Sequence, residues 1–235
     1  MRNLFTALKQ DTHANHTTLE KTFPFSMYHK SSQFNKDAYA ELLGIMQVFH
    51  QITTEAVRDG ASKVPELNQI SLMINSEAVL NAIKQDTQSI NRRPQPLAHS
   101  VNVELSTDDE EASNIDTHAC EPLLPQFSSV ASKTIAAIYV WLGSSMGANI
   151  IARRLDAMEE DIPTQYYQAM ASCAKTWVSF KQEVDALLPS LGLAEERFVK
   201  ETVADANAWF EFLISMGIQA ERNRTLFSQE ELNAT

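Results

Sequence analysis

Apolar positions recur along this chain at helical spacing rather than in the alternation of strands. Leu4, Leu8, Thr12, His16 and Leu19 share one face of a first helix predicted from Arg2 to Lys21, closed by Phe23-Pro24-Phe25. Tyr39, Leu42, Leu43, Met46 and Phe49 form the stripe of a second, Lys36 to Asp59, with Gly60 as its expected stop. A third runs from Pro65 through Leu67, Ile70, Ile74 and Leu80 to Ile90, with a break near Asn75-Ser76. The period returns at Ser128 and continues to about Glu160. Pro163 is placed in the first turn of the next helix, which ends near Leu188-Pro189, and a last helix covers Glu195 to Arg222. Only 6 glycines occur in 235 residues and no repeat is evident, so the pattern predicts an all-α fold. The expectation is a single compact multi-helix bundle over residues 1–235, with six or more long helices.

Residues 92–126 break the pattern. Pro94, Pro96, Pro122 and Pro125 bracket seven acids (Glu104, Asp108, Asp109, Glu110, Glu111, Asp116, Glu121) with no Lys or Arg among them. This stretch predicts a long exposed acidic loop, either a solvated insertion or a cover over a site. The seven acids account for most of the net charge of -11. Such acidity argues against nucleic acid or an anionic membrane as the main partner. No strictly apolar run of membrane-spanning length is evident, and the N-terminus does not resemble a signal peptide. Cys120 and Cys173 have neither metal-site spacing nor the numbers for a disulfide framework. A cytoplasmic protein is expected.

Two segments carry candidate chemistry. The first is Tyr139–Leu155, YVWLGSSMGANIIARRL, where Gly143 and Gly147 stand four apart in a strong helical pattern. Each glycine costs a helix interior about 0.5–1 kcal/mol relative to alanine. With Ser144, Ser145 and Ala148 beside them, they make a notch where a second helix or a flat ligand can approach the backbone. The second is the first helix, where His13 and His16 are three apart and Glu20 follows His16 by one turn. No further metal ligands gather there, but a single axial histidine needs only a neutral imidazole and a partner that fixes its tautomer. Glu20 can accept the Nδ1 proton of His16 and leave Nε2 free; an ordinary helical i,i+4 pair has the same spacing.

Taken together, Thr12, His16, Leu19 and Glu20 match the T-x3-H-x2-[LA]-E pattern of the heme oxygenase family. Gly143-Ser144-Ser145-Met146-Gly147 matches its G-[DS]-x-x-G signature, in the GS form of bacterial biliverdin-producing members. Asn81–Ile90, with Ala82 and Asp86, is similar to a third segment of that family, and Phe180-Lys181-Gln182 to a fourth. The chain therefore resembles the heme oxygenases over most of its length outside 92–126. The resemblance implies heme as both cofactor and substrate, with O2 and an electron donor such as a ferredoxin or flavoprotein reductase. It makes His16 the proximal iron ligand and Glu20 its orienting partner. It makes Gly143 and Gly147 the point where a distal helix kinks over the heme, and Lys9 and Lys181 the partners of the propionates. The products implied are biliverdin, carbon monoxide and ferrous iron.

The chain departs from the family in three places. Ser144 stands where many members have an Asp that organises distal water; Ser144, Ser145 and Asn149 remain as candidate water anchors. Asp185 replaces a basic residue four positions after Lys181, and the acidic loop is unusual. The rival expectations are a non-catalytic heme binder or sensor on the same fold, a dinuclear iron bundle, and a plain interaction bundle. The dinuclear class needs several inward His and carboxylate ligands that the sequence does not supply.

Overall fold

The computed structural model describes residues 3–28, 34–90, 125–158, 161–193 and 195–233, with side chains as far as Leu226. The predicted acidic loop at 92–126 lies outside these residues except for its last two. All regular structure among the described residues is helical. In chain order the helices are α1 (Leu4–Asp11), α2 (His13–Lys21), α3 (Lys36–Lys63), α4 (Asn68–Ser71), α5 (Ser76–Ser89), α6 (Val130–Ser145), α7 (Ala148–Asp156), α8 (Gln165–Cys173), α9 (Trp177–Ser190) and α10 (Glu196–Asn233).

At the centre is α6, flanked by α3 and α10; α5 packs on α3 and α8, α7 on α8, and α1 and α2 lie along α10. Its sequence explains the position. Trp141, Leu142, Ile135, Ile138 and the small Ala136 and Ala137 are fully buried, so apolar atoms cover most of its circumference. Val130–Asp156 contains a window with mean hydropathy 1.5, long and apolar enough to cross a membrane. It is not an unbroken apolar run, since Ser, Thr and Gly interrupt it. Within the bundle 56% of that window is buried, as in a core helix.

Polar side chains fix both ends of this core. Asn35 and Ser129 cap α3 and α6, the latter in a reciprocal capping box with Ser132. Asp205 of α10, itself buried, accepts from the Ser128 backbone N–H at 2.9 Å, the Ser128 hydroxyl at 3.0 Å and the Ser132 hydroxyl. A carboxylate at a helix N-terminus also meets the positive end of the helix dipole. Asp86 of α5 does the same for α8, accepting from the Gln165 and Tyr166 N–H groups at 3.0 and 2.9 Å and from the Tyr39 hydroxyl at 3.0 Å.

Several predicted boundaries shift, each for a visible reason. The first helix is two: α1 ends and α2 begins at Thr12, whose hydroxyl donates back to the Leu8 carbonyl at 2.8 Å. Gly60 does not stop the second helix. It is buried inside α3, and a Cβ there would overlap the Thr134 hydroxyl of α6. The third stretch begins as a 3-10 turn at Pro65–Leu67 and resumes as α5 behind an Asn75 cap. Pro163 lies ahead of α8 rather than in its first turn, and a 3-10 turn at Ala174–Thr176 divides α8 from α9. The last helix runs eleven residues past Arg222, to Asn233.

Gly60→Ala should therefore destabilise the fold by about 1–3 kcal/mol, the usual cost of overpacking a tight contact. Urea unfolding of the variant against wild type measures this; an unchanged midpoint would show that α3 and α6 do not approach so closely.

Candidate functional site

The glycine segment is where the central helix breaks. α6 ends at Ser145 and α7 starts at Ala148, with Met146 and Gly147 between them in a turn. Met146 N–H bonds the Gly143 carbonyl at 3.2 Å, tightening this last turn. A glycine pair is one of the recognised causes of such a break.

What lies over the glycines distinguishes the two readings of the notch. Among the described residues, a Cβ placed on Gly143 or Gly147 would meet no atom of another element within 4 Å. Gly60 and Gly217 behave differently: their Cβ positions collide with Thr134 and with the Phe23 carbonyl, so those glycines serve helix packing. No described element uses the Gly143–Gly147 notch in that way. Neither glycine needs a positive φ. On the same side of the rod Met146 and Ile150 are exposed, at 52% and 58%, and form a bare apolar face around the notch.

The junction that precedes the histidine helix touches α6 at Tyr139. Thr12, one turn before His16, pairs with the hydroxyl of Tyr139, one turn before Gly143. Burial raises the Tyr139 pKa, and the Thr12 bond opposes that shift. Among the described residues, α2 contributes no buried side chain. It is held from behind by α10, where Asn15 donates to Asn207 at 3.0 Å and to Glu211 at 3.3 Å and His16 meets the Phe210 ring edge-on at 5.7 Å. The His16 side chain is 53% exposed. Its Nδ1 is turned to Glu20 Oε1 at 3.6 Å, the atom pair expected, although beyond hydrogen-bond length. Nε2 is the ring nitrogen turned away from Glu20.

Lys9 and Lys181 come together. Both line an open cavity of about 660 Å³ between α1 and α9, with Phe5, Gln10, Val178 and Asp185. Lys181 Nζ lies 5.9 Å from the Trp177 ring centroid. Phe5, Tyr139, Trp177 and Phe180 form the aromatic wall behind, with neighbouring ring centroids 5.5–6.5 Å apart. The sequence pattern did not single out Tyr139 as a site residue, though it stands one turn before Gly143. Nor did it separate Trp177, half-buried in this wall, from Trp141 and Trp209, which are core. Asp185 leaves the cavity with one carboxylate against the two ammonium groups.

Ser144 is exposed and its hydroxyl donates to the Trp141 carbonyl at 2.7 Å; Ser145 is buried and donates to Leu142 at 2.6 Å. Of the two, Ser144 presents its oxygen to solvent as an acceptor. Asn149 is also exposed. Asp86, picked out by the third motif, is a structural cap remote from solvent. Among the described residues no three His, Cys, Asp or Glu side chains form a group able to hold a metal ion; an axial histidine needs no such group.

No family model, curated protein or solved structure matches the chain.

Gly143→Ala separates the two readings of the notch. With open space for the methyl, the substitution should stabilise the ligand-free protein by about 0.5–1 kcal/mol through helix propensity. It should weaken hemin binding by roughly tenfold, a loss of ~1.4 kcal/mol. Thermal unfolding and optical titration give both numbers; lower stability in the ligand-free variant would mean that another part of the fold packs on the notch.

Proposed function

We propose that the chain is a heme oxygenase. The observation that carries this reading is the bare glycine face. Gly143 at the end of α6 and Gly147 in the turn after it are covered by no other element among the described residues, and α6 meets, at Tyr139, the Thr12 junction one turn before exposed His16. The residues present fit the group. His16 offers Nε2 while Nδ1 faces Glu20, an orientation that places the ring proton on the Glu20 side and leaves Nε2 as the ligand nitrogen. Lys9 and Lys181 offer two cations to the two carboxylates of a porphyrin, and Asp185 weakens the local field. Met146 and Ile150 supply an apolar surface for the ring, which removes them from water on binding.

Bound heme would supply the iron and be itself the substrate, opened with O2 and external electrons to biliverdin, carbon monoxide and ferrous iron. The protein's part is positional. Backbone exposed at Gly143 and Gly147 admits a flat face closer than any side chain would, which leaves little height above it. The exposed oxygens of Ser144 and Asn149 can hold water at that face, where proton delivery is required. The electron donor is a separate protein of the ferredoxin or flavoprotein class.

One observation favours a second reading, a heme binder or sensor without turnover. Ser144 replaces an acid, and its only proton is already donated to the Trp141 carbonyl.

Titration with hemin distinguishes these. Wild type should give a stoichiometric Soret band that His16→Ala loses or shifts. Ascorbate or a ferredoxin-reductase system in air should then bleach it into the absorption of biliverdin. A His16-dependent band that persists under reduction supports the sensor; absence of specific binding rules out both.

A further inference from the structure

Four of the chain's five tyrosines gather in the core behind α6. Tyr166 and Tyr167 lie 4.8 Å apart by ring centroid, and Tyr167 stacks on Tyr39 at 6.1 Å. Tyr28 meets Tyr167 at 5.8 Å, with their hydroxyls hydrogen-bonded. Capping of α8 explains Asp86 and Tyr39. It does not explain His50, which is wholly buried on α3. Its Nε2 meets the Tyr166 hydroxyl at 3.2 Å, and its Nδ1 has no hydrogen-bond partner among the described residues. An apolar side chain would fill this place without leaving a polar atom orphaned. The His50 ring packs edge-on to Trp141 at 5.2 Å, and Trp141 lies on the core side of α6, two residues before Gly143. A file of rings, Trp141–His50–Tyr166–Tyr167–Tyr28, thus runs from the back of the glycine helix to half-buried Tyr28.

We propose that Tyr166 and His50 form a redox-active tyrosine site that donates one electron, through Trp141, to a strong oxidant formed at the glycine notch. The proposal rests on the heme reading only for the source of that oxidant, peroxide reacting with the bound iron porphyrin. The oxidant gains one electron from Trp141, and the Trp141 radical cation is refilled from Tyr166. The Tyr166 hydroxyl proton moves along the existing hydrogen bond to Nε2 of His50, leaving a neutral tyrosyl radical and an imidazolium. Ascorbate or a thiol, acting at the Tyr28 end, returns the electron, and His50 gives the proton back. Burial sets the resting state of both partners. It lowers the His50 pKa to about 3, so the imidazole is neutral with a lone pair to offer, and it raises that of Tyr166, which keeps its proton until oxidised.

The test is flash photo-oxidation of tryptophan in the metal-free protein, in a Trp177→Phe background. That background removes the tryptophan that adjoins Tyr139, and among the described residues the ring neighbours of Trp209 are phenylalanines. Tyrosyl absorbance should grow as tryptophanyl absorbance decays, more slowly in D2O. Tyr166→Phe should abolish the growth, Tyr39→Phe should leave it, and His50→Gln, which keeps an acceptor but cannot take the proton, should slow it and erase the deuterium effect. A purely structural role would move none of these rates. Growth that persists in Tyr166→Phe, or that is insensitive to deuterium in wild type, overturns the proposal; should Tyr166→Phe not fold, the His50→Gln and deuterium results decide. Hemin-loaded protein treated with peroxide should then show a Tyr166-dependent tyrosyl signal in paramagnetic resonance. A positive flash result without hemin binding leaves the site standing and overturns the heme reading; hemin binding without any Tyr166-dependent radical overturns the site.

Discussion

The seating of α6 between α3 and α10 is the constraint on which the rest of the molecule depends. Gly60 lets α3 come up against Thr134, and Asp205 of α10 holds the first turn of α6 by three hydrogen bonds. With two sides filled and one end pinned, the axis of α6 is determined before the candidate site is considered. Its last turn then emerges with Gly143 and Ser144 toward solvent, and the chain breaks at Met146-Gly147, between buried Ser145 and buried Ala148. A close-packed interior transmits such placement over many residues because it has little freedom to adjust.

The same helix separates two environments. On its outer side lie the bare glycines, exposed Met146 and Ile150, and the lysine-lined cavity beyond Tyr139. On its inner side lie Trp141, His50 and the tyrosines, with Asp86 among them. Polar groups survive there because most are paired, and a paired network in low dielectric holds one arrangement firmly. Among the described residues, His50 Nδ1 and Trp141 Nε1, on adjacent rings, lack a partner, as does Trp209 Nε1.

Much of the fold was legible because apolar spacing on α3, α5, α6 and α10 is regular and tertiary packing confirms it. What escaped depended on partners distant in sequence. Gly60 has the local signature of a helix stop, and only Thr134 across the interface explains why the helix continues. Thr12 fits a continuous apolar face, yet its hydroxyl competes for a backbone carbonyl and the helix divides there. Of the site, His16 with Glu20 and the glycine pair were visible as local spacings. That Lys9 and Lys181 share a cavity was not visible from spacing, because α1 and α9 are brought together only by the fold. Tyr39 was visible only as one member of an apolar stripe, and the tyrosine cluster itself left no mark in the spacing, since its four members come from three separate segments.

The anchoring of α2 has a consequence for the energetics of the site. This helix has no buried side chain of its own; Leu19 is partly covered, and the amide pairs to Asn207 and Glu211 fasten it to α10. A segment so lightly attached belongs to the low end of the local-unfolding spectrum, opening many times for each opening of the core. Whatever binds at His16 adds its binding free energy to the closed state of α2 alone. Ligand occupancy and local order of this helix are then one equilibrium, and amide exchange along His13–Lys21 reads the affinity of the site from the backbone.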